Sequence, residues 1–168
     1  MKVYVDGKDL LGYFIEQEDR LVLGPDQDQS RQNLRRWLAR YAELQDCDVV
    51  LVWDELAPDE VLPLDERFGR VHVINLPYGE NALQEIAGPA NRTALEERTF
   101  VTTADPRLMD ALERGKATTY SPAEFVSRAR RIMGMGDEQM AKEPDEKFAA
   151  LGEDEVEFWM NFFQKDED

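Results

Sequence analysis

Short runs of apolar and β-branched residues alternate along the chain with longer segments of helical periodicity. The run Val-Val-Leu-Val-Trp at residues 49–53 is continuously apolar, which is typical of a strand buried on both faces of a sheet. Strands that alternate with helices favour a parallel sheet covered by helices on both sides. The pattern predicts an α/β fold with a five-stranded parallel sheet in the order 3-2-1-4-5. The strands are expected at residues 3–5, 49–53, 70–74, 99–103 and 117–120.

Helices are predicted between and after these strands. Residues 106–114 carry a proline in their first turn and a glycine just past their end, which is typical of a short helix. Residues 81–97 have a helical composition, but the Gly-Pro pair at residues 88–89 predicts two pieces or a kink. Ser-Pro-Ala-Glu at residues 121–124 has the form of a capping box and predicts a helix start. Apolar positions with helical spacing predict a further helix over residues 30–45: Leu34, Trp37, Leu38, Tyr41 and Ala42.

The C-terminal part of the chain has a different character from the body. We expect a domain over residues 1–133, an acidic linker over 134–152, and a short amphipathic helix with an acidic tail over 153–168. The helix is predicted from apolar residues at i, i+3, i+4 and i+7, namely Val156, Trp159, Met160 and Phe163. Such a stripe either docks on its own domain or occupies a groove of a partner.

Composition narrows the possible classes of protein. No apolar run approaches the length of a membrane span, and the N-terminus lacks a signal-peptide profile, so we expect a cytoplasmic protein without a membrane partner. One cysteine excludes an internal disulfide, and one histidine argues against a Cys/His zinc site. The net charge is −16, of which −9 comes from twelve acidic residues and three lysines in residues 137–168. Any nucleic-acid partner therefore needs a local basic patch.

Three aspartates stand at the carboxyl ends of predicted strands, where ligands bind in open α/β sheets. They are Asp6 after the first strand, Asp54 after the second and Asp105 after the fourth. In the order 3-2-1-4-5 these ends are neighbours, so the carboxylates are expected to share one crevice. Closely packed carboxylates repel one another unless a cation offsets their charge, and oxygen ligands suit Mg²⁺ or Mn²⁺. The sequence therefore predicts a metal site able to act on a phosphodiester, although Asp105, before a proline, is equally suited to capping a helix.

The same segments resemble the NYN domain family, particularly its YacP-like subgroup. Val-Asp-Gly at residues 5–7 with Asp-Leu-Leu at 9–11 is similar to the opening motif of that family. The strand ending in Asp54 and the Val-Thr-Thr-Ala-Asp segment at 101–105 resemble its second strand and its Thr-Ser-Asp strand end. The segment at 120–125 resembles its closing strand and helix. The resemblance covers residues 1–132.

The resemblance implies a PIN-like three-layer fold and a metal-dependent endoribonuclease, in a subgroup associated with cleavage of ribosome-bound mRNA. If the chain is such an enzyme, Asp6, Asp54 and Asp105 would hold the metal, and Glu80 and Asp9 would assist water activation. The chain departs from the family pattern at three positions: Lys8 replaces an aromatic residue, Asp9 replaces an asparagine, and Leu83 stands where an acid is expected. Either Asp9 restores the missing charge, or Lys8 takes the place of the metal ion.

Two functions remain open at this stage. One is a Mg²⁺- or Mn²⁺-dependent endoribonuclease; the other is a catalytically degenerate NYN module that binds RNA, the ribosome or a protein partner. RNA contact is predicted for the basic surface of the helix at residues 30–45, because phosphate binding requires only local positive charge. The residues are Arg31, Arg35, Arg36 and Arg40.

Overall fold

The computed structural model describes residues 1–54, 63–114 and 116–134. Within these residues a six-stranded sheet lies between two layers of helices. The strands are β1 (Lys2–Asp6), β2 (Asp48–Trp53), β3 (Asp65–Phe68), β4 (Val71–Asn75), β5 (Thr99–Thr102) and β6 (Thr118–Tyr120). The helices are α1 (Gly7–Glu16), α2 (Gln27–Gln45), α3 (Ala82–Thr93), α4 (Pro106–Ala111) and α5 (Pro122–Ile132).

The strand order is β3-β4-β2-β1-β5-β6, and every neighbouring pair except β3 and β4 is parallel. The five predicted parallel strands and their order are confirmed, and β1 lies at the centre between β2 and β5. The prediction missed the antiparallel edge strand β3. Its sequence, Asp-Glu-Arg-Phe, has no apolar run, and its residues are exposed or half-buried in alternation. An edge strand with one covered face does not need a continuous apolar sequence.

The sequence pattern also missed α1, which begins directly after β1. A Cβ atom at Gly7 would lie 2.7 Å from the ring of Trp53 at the end of β2, so a larger residue does not fit there. This close approach seats the first turn of α1 against the end of β2. Asp6 is the N-cap residue of α1, and Asp9 lies in its first turn. Both carboxylates are therefore positioned by the same strand-to-helix junction.

Two helix predictions require correction. The segment expected as two pieces or a kinked helix is one helix, α3, with Pro89 inside it, so the two-piece alternative is wrong. Residues on both sides of the proline, Ile86 and Ala90, are fully buried against the sheet, and this packing holds the helix together despite the lost backbone donor. The helix expected over residues 106–114 ends at Ala111, because the side chain of Asn91 binds both the Ala111 carbonyl (3.1 Å) and the Glu113 N–H (2.9 Å).

The core is divided between the two faces of the sheet. Helices α1, α2 and α5 cover one face, where the rings of Phe14, Trp37 and Phe125 pack edge to face, while α3 and α4 cover the other. A buried ion pair between Asp19 and Arg130 (2.7 Å) ties the loop after α1 to α5. The predicted capping box at Ser121 is present. In the described part of the chain, no helix has the length and apolarity that a membrane span requires.

The predicted C-terminal helix and nearly all of the predicted acidic linker lie outside the described residues, so the division of the chain at residues 134 and 153 stays a prediction.

Candidate metal centre

Asp6 and Asp54 stand at the carboxyl ends of two adjacent parallel strands. Asp6 pairs with Val52 in the register of β1 and β2, and Asp54 follows two residues after Val52. Because side chains alternate along a strand, this spacing directs both carboxylates to the same face of the sheet, the one covered by α3. Asp6 is buried and Asp54 is half-buried.

Helix α3 supplies part of the environment of Asp54. The backbone N–H of Ala82, in the first turn of α3, donates to Asp54 Oδ2 at 2.9 Å. The N-terminus of a helix carries partial positive charge and favours a carboxylate there. Within the described residues the other oxygen, Oδ1, is buried and has no hydrogen-bond partner, and the same is true of Asp6 Oδ1. Two neighbouring strand ends therefore each present one buried carboxylate oxygen that has no hydrogen-bond partner among the described residues.

Asp6 is the most strongly perturbed acid of this region. Burial, followed by the charges of Asp9 and Asp54, raises its pKa from 3.8 to about 7. The Asp9 backbone and the ammonium group of Lys8 act in the opposite direction without cancelling the effect. Near neutral pH, therefore, Asp6 takes up a proton readily, and a cation in the proton's place would offset the same repulsion.

Asp9 is held in a fixed orientation by the end of β5. Its Oδ2 accepts from the Thr103 hydroxyl at 3.1 Å and from the Ala104 N–H at 2.8 Å. The Thr103 oxygen also accepts from the Asp105 N–H at 3.0 Å. Thr103 therefore joins Asp9 to the segment that carries Asp105. Sequence analysis gave Thr103 no role of its own, although its position at a strand end beside Asp105 was visible in the sequence.

The structure gives Asp105 the capping role that its sequence context allowed. It is the N-cap of α4, and its Oδ1 accepts from the Arg107 N–H at 3.0 Å. The carboxylates that raise the pKa of Asp6 are those of Asp9 and Asp54. The negative charges that act on Asp6 are thus those of Asp9 and Asp54. Asp105 is linked to Asp9 through hydrogen bonds of Thr103.

The two remaining positions of the predicted site lie around α3. Glu80 is exposed in the turn between β4 and α3, and its backbone N–H donates to the Pro77 carbonyl at 3.1 Å. Leu83, which stands in place of an expected acid, is half-buried and packs against the apolar cluster beneath α3. It therefore supplies packing to α3 rather than a ligand.

The carboxylate oxygens of Asp6 and Asp54 are the kind of ligand that a hard divalent cation such as Mg²⁺ prefers. No group of three or more His, Cys, Asp or Glu side chains close enough to hold an ion occurs within residues 1–54, 63–114 and 116–134. Mg²⁺, however, keeps several waters and is usually bound through one or two carboxylates together with substrate phosphates. The two unsatisfied oxygens of Asp6 and Asp54, and the repulsion that raises the pKa of Asp6, provide that donor set.

The basic residues of α2 do not form one surface. Arg31 lies over the Trp53 ring at 5.4 Å, and Arg35 lies over the Phe68 ring at 4.6 Å. Arg36 is 1% exposed, so its guanidinium is not placed to contact RNA. Arg40 is half-buried, with Glu43 at 3.7 Å. Of the four, Arg31 is the one next to the strand that ends in Asp54.

An exposed aromatic side chain adjoins the site and was not singled out from the sequence. Tyr78 is 71% exposed and lies in the loop from β4 to α3, next to Gly79 with its φ of +92°. The same loop leads into Ala82, the donor to Asp54. Its Pro-Tyr-Gly sequence looked like a simple strand breaker, and only the fold shows that the loop leads into the helix turn that donates to Asp54.

Comparison with known proteins gives a consistent family and fold. The family model for the YacP-like NYN domain matches residues 3–162, which extends into the C-terminal segment beyond residue 132. Two crystal structures of Rae1 (YacP) from Bacillus subtilis are similar to this chain. A mutant form has a TM-score of 0.62 at 19% identity and covers 86% of each chain. The other has a TM-score of 0.60 at 20% identity and covers 99% of this chain and 96% of that one. At these identities the likeness shows a shared fold. No protein with a curated function matches the sequence.

Proposed function

Because the chain belongs to the YacP-like NYN domain family, we propose that it is a divalent-metal-dependent endoribonuclease that cleaves RNA phosphodiester bonds. The observation that carries the proposal is the pair of buried carboxylate oxygens on Asp6 and Asp54 at adjacent strand ends, which have no hydrogen-bond partner in the part of the chain that the structure describes. The raised pKa of Asp6 supports it, because crowded carboxylates of this kind favour a bound cation.

In this proposal Asp6 and Asp54 hold Mg²⁺ or Mn²⁺. When bound, the ion would polarise a phosphoryl oxygen and lower the pKa of the attacking water. Asp9 accepts the proton from that water: Thr103 and Ala104 hold its Oδ2, which leaves Oδ1 as the available acceptor. Asp105 acts as a further ligand of the same centre only if its capping bond to α4 opens. Glu80 assists from the exposed loop.

RNA binding is assigned to residues of α2 and of the loop that precedes α3. Arg31, stacked on Trp53, and Arg35, stacked on Phe68, offer guanidinium groups to phosphates. The exposed ring of Tyr78 is suited to stack on an unpaired base, the usual mode of single-stranded RNA recognition. The proposed substrate is mRNA, including mRNA bound to the ribosome, which the family resemblance implies.

A cleavage assay tests the proposal. End-labelled mRNA, free and on translating ribosomes, is incubated with the full-length protein in Mg²⁺ or in EDTA. We expect internal cuts that require the metal and disappear with Asp54→Asn. Asp110→Asn, which changes an exposed acid of α4, is the matched control and should cut like the parent. Metal-independent cleavage, or cleavage that survives Asp54→Asn, would refute the assignment.

A second function is favoured by specific contacts. The Asp105 carboxylate caps a helix, Asp9 Oδ2 is occupied by two donors, and Leu83 packs into the core. These contacts support a degenerate NYN module that binds RNA, the ribosome or a protein partner without cutting. Co-sedimentation with ribosomes in EDTA, together with the absence of Mg²⁺-dependent cuts, would assign the protein to this class.

A further inference from the structure

A groove with an aromatic floor lies on the face of the sheet covered by α2 and α5. The cavity has a volume of about 90 Å³. Since a single water needs about 10–15 Å³ by this measure, the groove has room for roughly six water-sized groups, about one aromatic ring. Most of its walls come from the start of β1 and β5 and from the last turns of α2 and α5. The lining residues are Met1, Tyr41, Gln45, Arg98, Phe100, Tyr120, Phe125, Arg128 and Ile132.

Two arginines on this groove are oriented by aromatic rings. Phe100 and Tyr120 stack with their centroids 5.4 Å apart. The Arg98 guanidinium lies 5.1 Å from the centre of the first ring, and that of Arg128 lies 4.6 Å from the centre of the second. Stacking on a ring leaves the N–H edges of a guanidinium available for an anion. Both side chains are exposed, and in the described ranges no carboxylate forms an ion pair with either.

In a chain with 36 acidic and 20 basic residues, these two arginines place positive charge on both sides of the groove. A hollow lined by aromatic rings and flanked by two oriented cations is complementary to a ligand that combines aromatic side chains with negative charge.

The chain itself contains such a segment, and it begins at the groove. Ile132 lines the groove, and the described part of the chain ends two residues later at Gly134. Residues 135–168 follow, with a net charge of −9 from twelve acids and three lysines. Their aromatic residues cluster at positions 158–163 among acidic neighbours: Phe158, Trp159, Phe162 and Phe163.

We propose that residues 153–163 bind in this groove, with one aromatic ring in the hollow and flanking carboxylates on Arg98 and Arg128. Eighteen residues separate Gly134 from Glu153, which as a flexible chain span a root-mean-square distance of roughly 20–25 Å, so the segment can reach the groove whose rim it leaves. Tethering of this kind gives a ligand a high effective concentration.

The same tether disfavours RNA as the occupant. A polyanion would have to displace a negatively charged segment attached at the rim, while the guanidinium groups serve either ligand equally well.

The groove is separate from the carboxylate site. Met1 and Arg98 precede β1 and β5, whereas Asp6 and Asp54 follow the opposite ends of their strands. Binding of the C-terminal segment therefore leaves the carboxylate end of the sheet open, and the inference does not depend on the proposed function.

Site-specific photo-crosslinking in the full-length protein tests the proposal. Trp159 is replaced by p-benzoylphenylalanine, the dilute protein is irradiated, and crosslinked peptides are identified by mass spectrometry. We expect crosslinks within one molecule to peptides that contain Phe100 or residues 120–132. They should be lost in Arg98→Glu/Arg128→Glu and retained in Arg67→Glu, a charge reversal on the opposite edge strand β3. Arg98→Glu alone, on an exposed side chain, is the second variant and should reduce the yield if the double variant misfolds.

Five results would overturn the proposal. Crosslinks confined to other peptides, crosslinks that join two molecules, or the absence of crosslinks would exclude this occupant. Crosslinking of the groove peptides to a 4-thiouridine RNA oligonucleotide, with none to residue 159, would assign the groove to RNA instead. A yield unchanged by both charge reversals would exclude the two arginines as its anchors.

Discussion

Replacing Asp6 with asparagine should stabilise the metal-free protein, and increasingly so as the pH rises. The folded-state pKa of Asp6 is raised from 3.8 to about 7, chiefly by burial and then by Asp9 and Asp54. A raised pKa means that the group favours the folded state while it is protonated, and that this contribution is lost as the pH rises toward 7. Between pH 5.5 and pH 7 the unfolded chain holds Asp6 ionised while the folded chain still binds its proton. One pKa unit corresponds to about 1.4 kcal/mol. The rise from pH 5.5 to pH 7 therefore lowers the Asp6 contribution to the parent's free energy of unfolding by about 2 kcal/mol.

Asparagine keeps the shape of the side chain but cannot ionise, so Asp6→Asn does not lose this stability. Urea unfolding in EDTA at pH 5.5 and pH 8 gives the free energy of unfolding of parent and variant. The advantage of the variant should be about 2 kcal/mol larger at pH 8 than at pH 5.5, because the other titrating groups are common to both proteins. Asp110→Asn, at an exposed acid, should show no such change. An advantage of Asp6→Asn that is equal at the two pH values would refute the burial and crowding inferred for this carboxylate.

Two further substitutions test the framework that positions the site. Gly7→Ala places a Cβ atom 2.7 Å from the Trp53 ring and should cost about 1–3 kcal/mol in urea unfolding, whereas Gly12→Ala in the same helix meets no atom within 4 Å and should be neutral or stabilising. Equal effects of the two would show that α1 does not approach β2 so closely. Arg130→Met should cost about 3 kcal/mol because it leaves Asp19, 6% exposed, as a buried charge without its partner. Unchanged stability would show that this ion pair does not hold α5.

The elements that could be predicted from the sequence are those with a strong local signal. Continuous apolar runs marked the central strands, and the Ser-Pro-Ala-Glu sequence marked the start of α5, where the capping box is present. The elements that were missed depend on contacts distant in sequence. Asp-Gly at residues 6–7 looks like a turn, and only the Trp53 ring explains why a helix begins at the glycine. Edge strand β3 contains a single apolar residue and is defined by its pairing with β4.

Part of the candidate site, the two strand-end aspartates, could also be predicted from the sequence. Strand ends are visible in a sequence, so Asp6 and Asp54 were found by position, and the fold places them on one face of adjacent strands. Which further acid shares their electrostatic environment depends on side-chain direction. Asp9 is held by hydrogen bonds from Thr103 and Ala104, and its charge acts on Asp6. The Asp105 carboxylate instead accepts from the N–H of Arg107 in α4. No spacing rule distinguishes those two outcomes.

Isothermal titration of the full-length protein with Mn²⁺ at pH 8 tests the central claim most directly, since both possible functions share the fold and only the nuclease requires the ion. The metal centre inferred from Asp6 and Asp54 predicts saturable binding by the parent. It predicts the same binding by Asp110→Asn and no binding heat from Asp6→Asn combined with Asp54→Asn. A parent that gives no saturable heat, or a double variant that binds as the parent does, would contradict the assignment of these two carboxylates as a metal site.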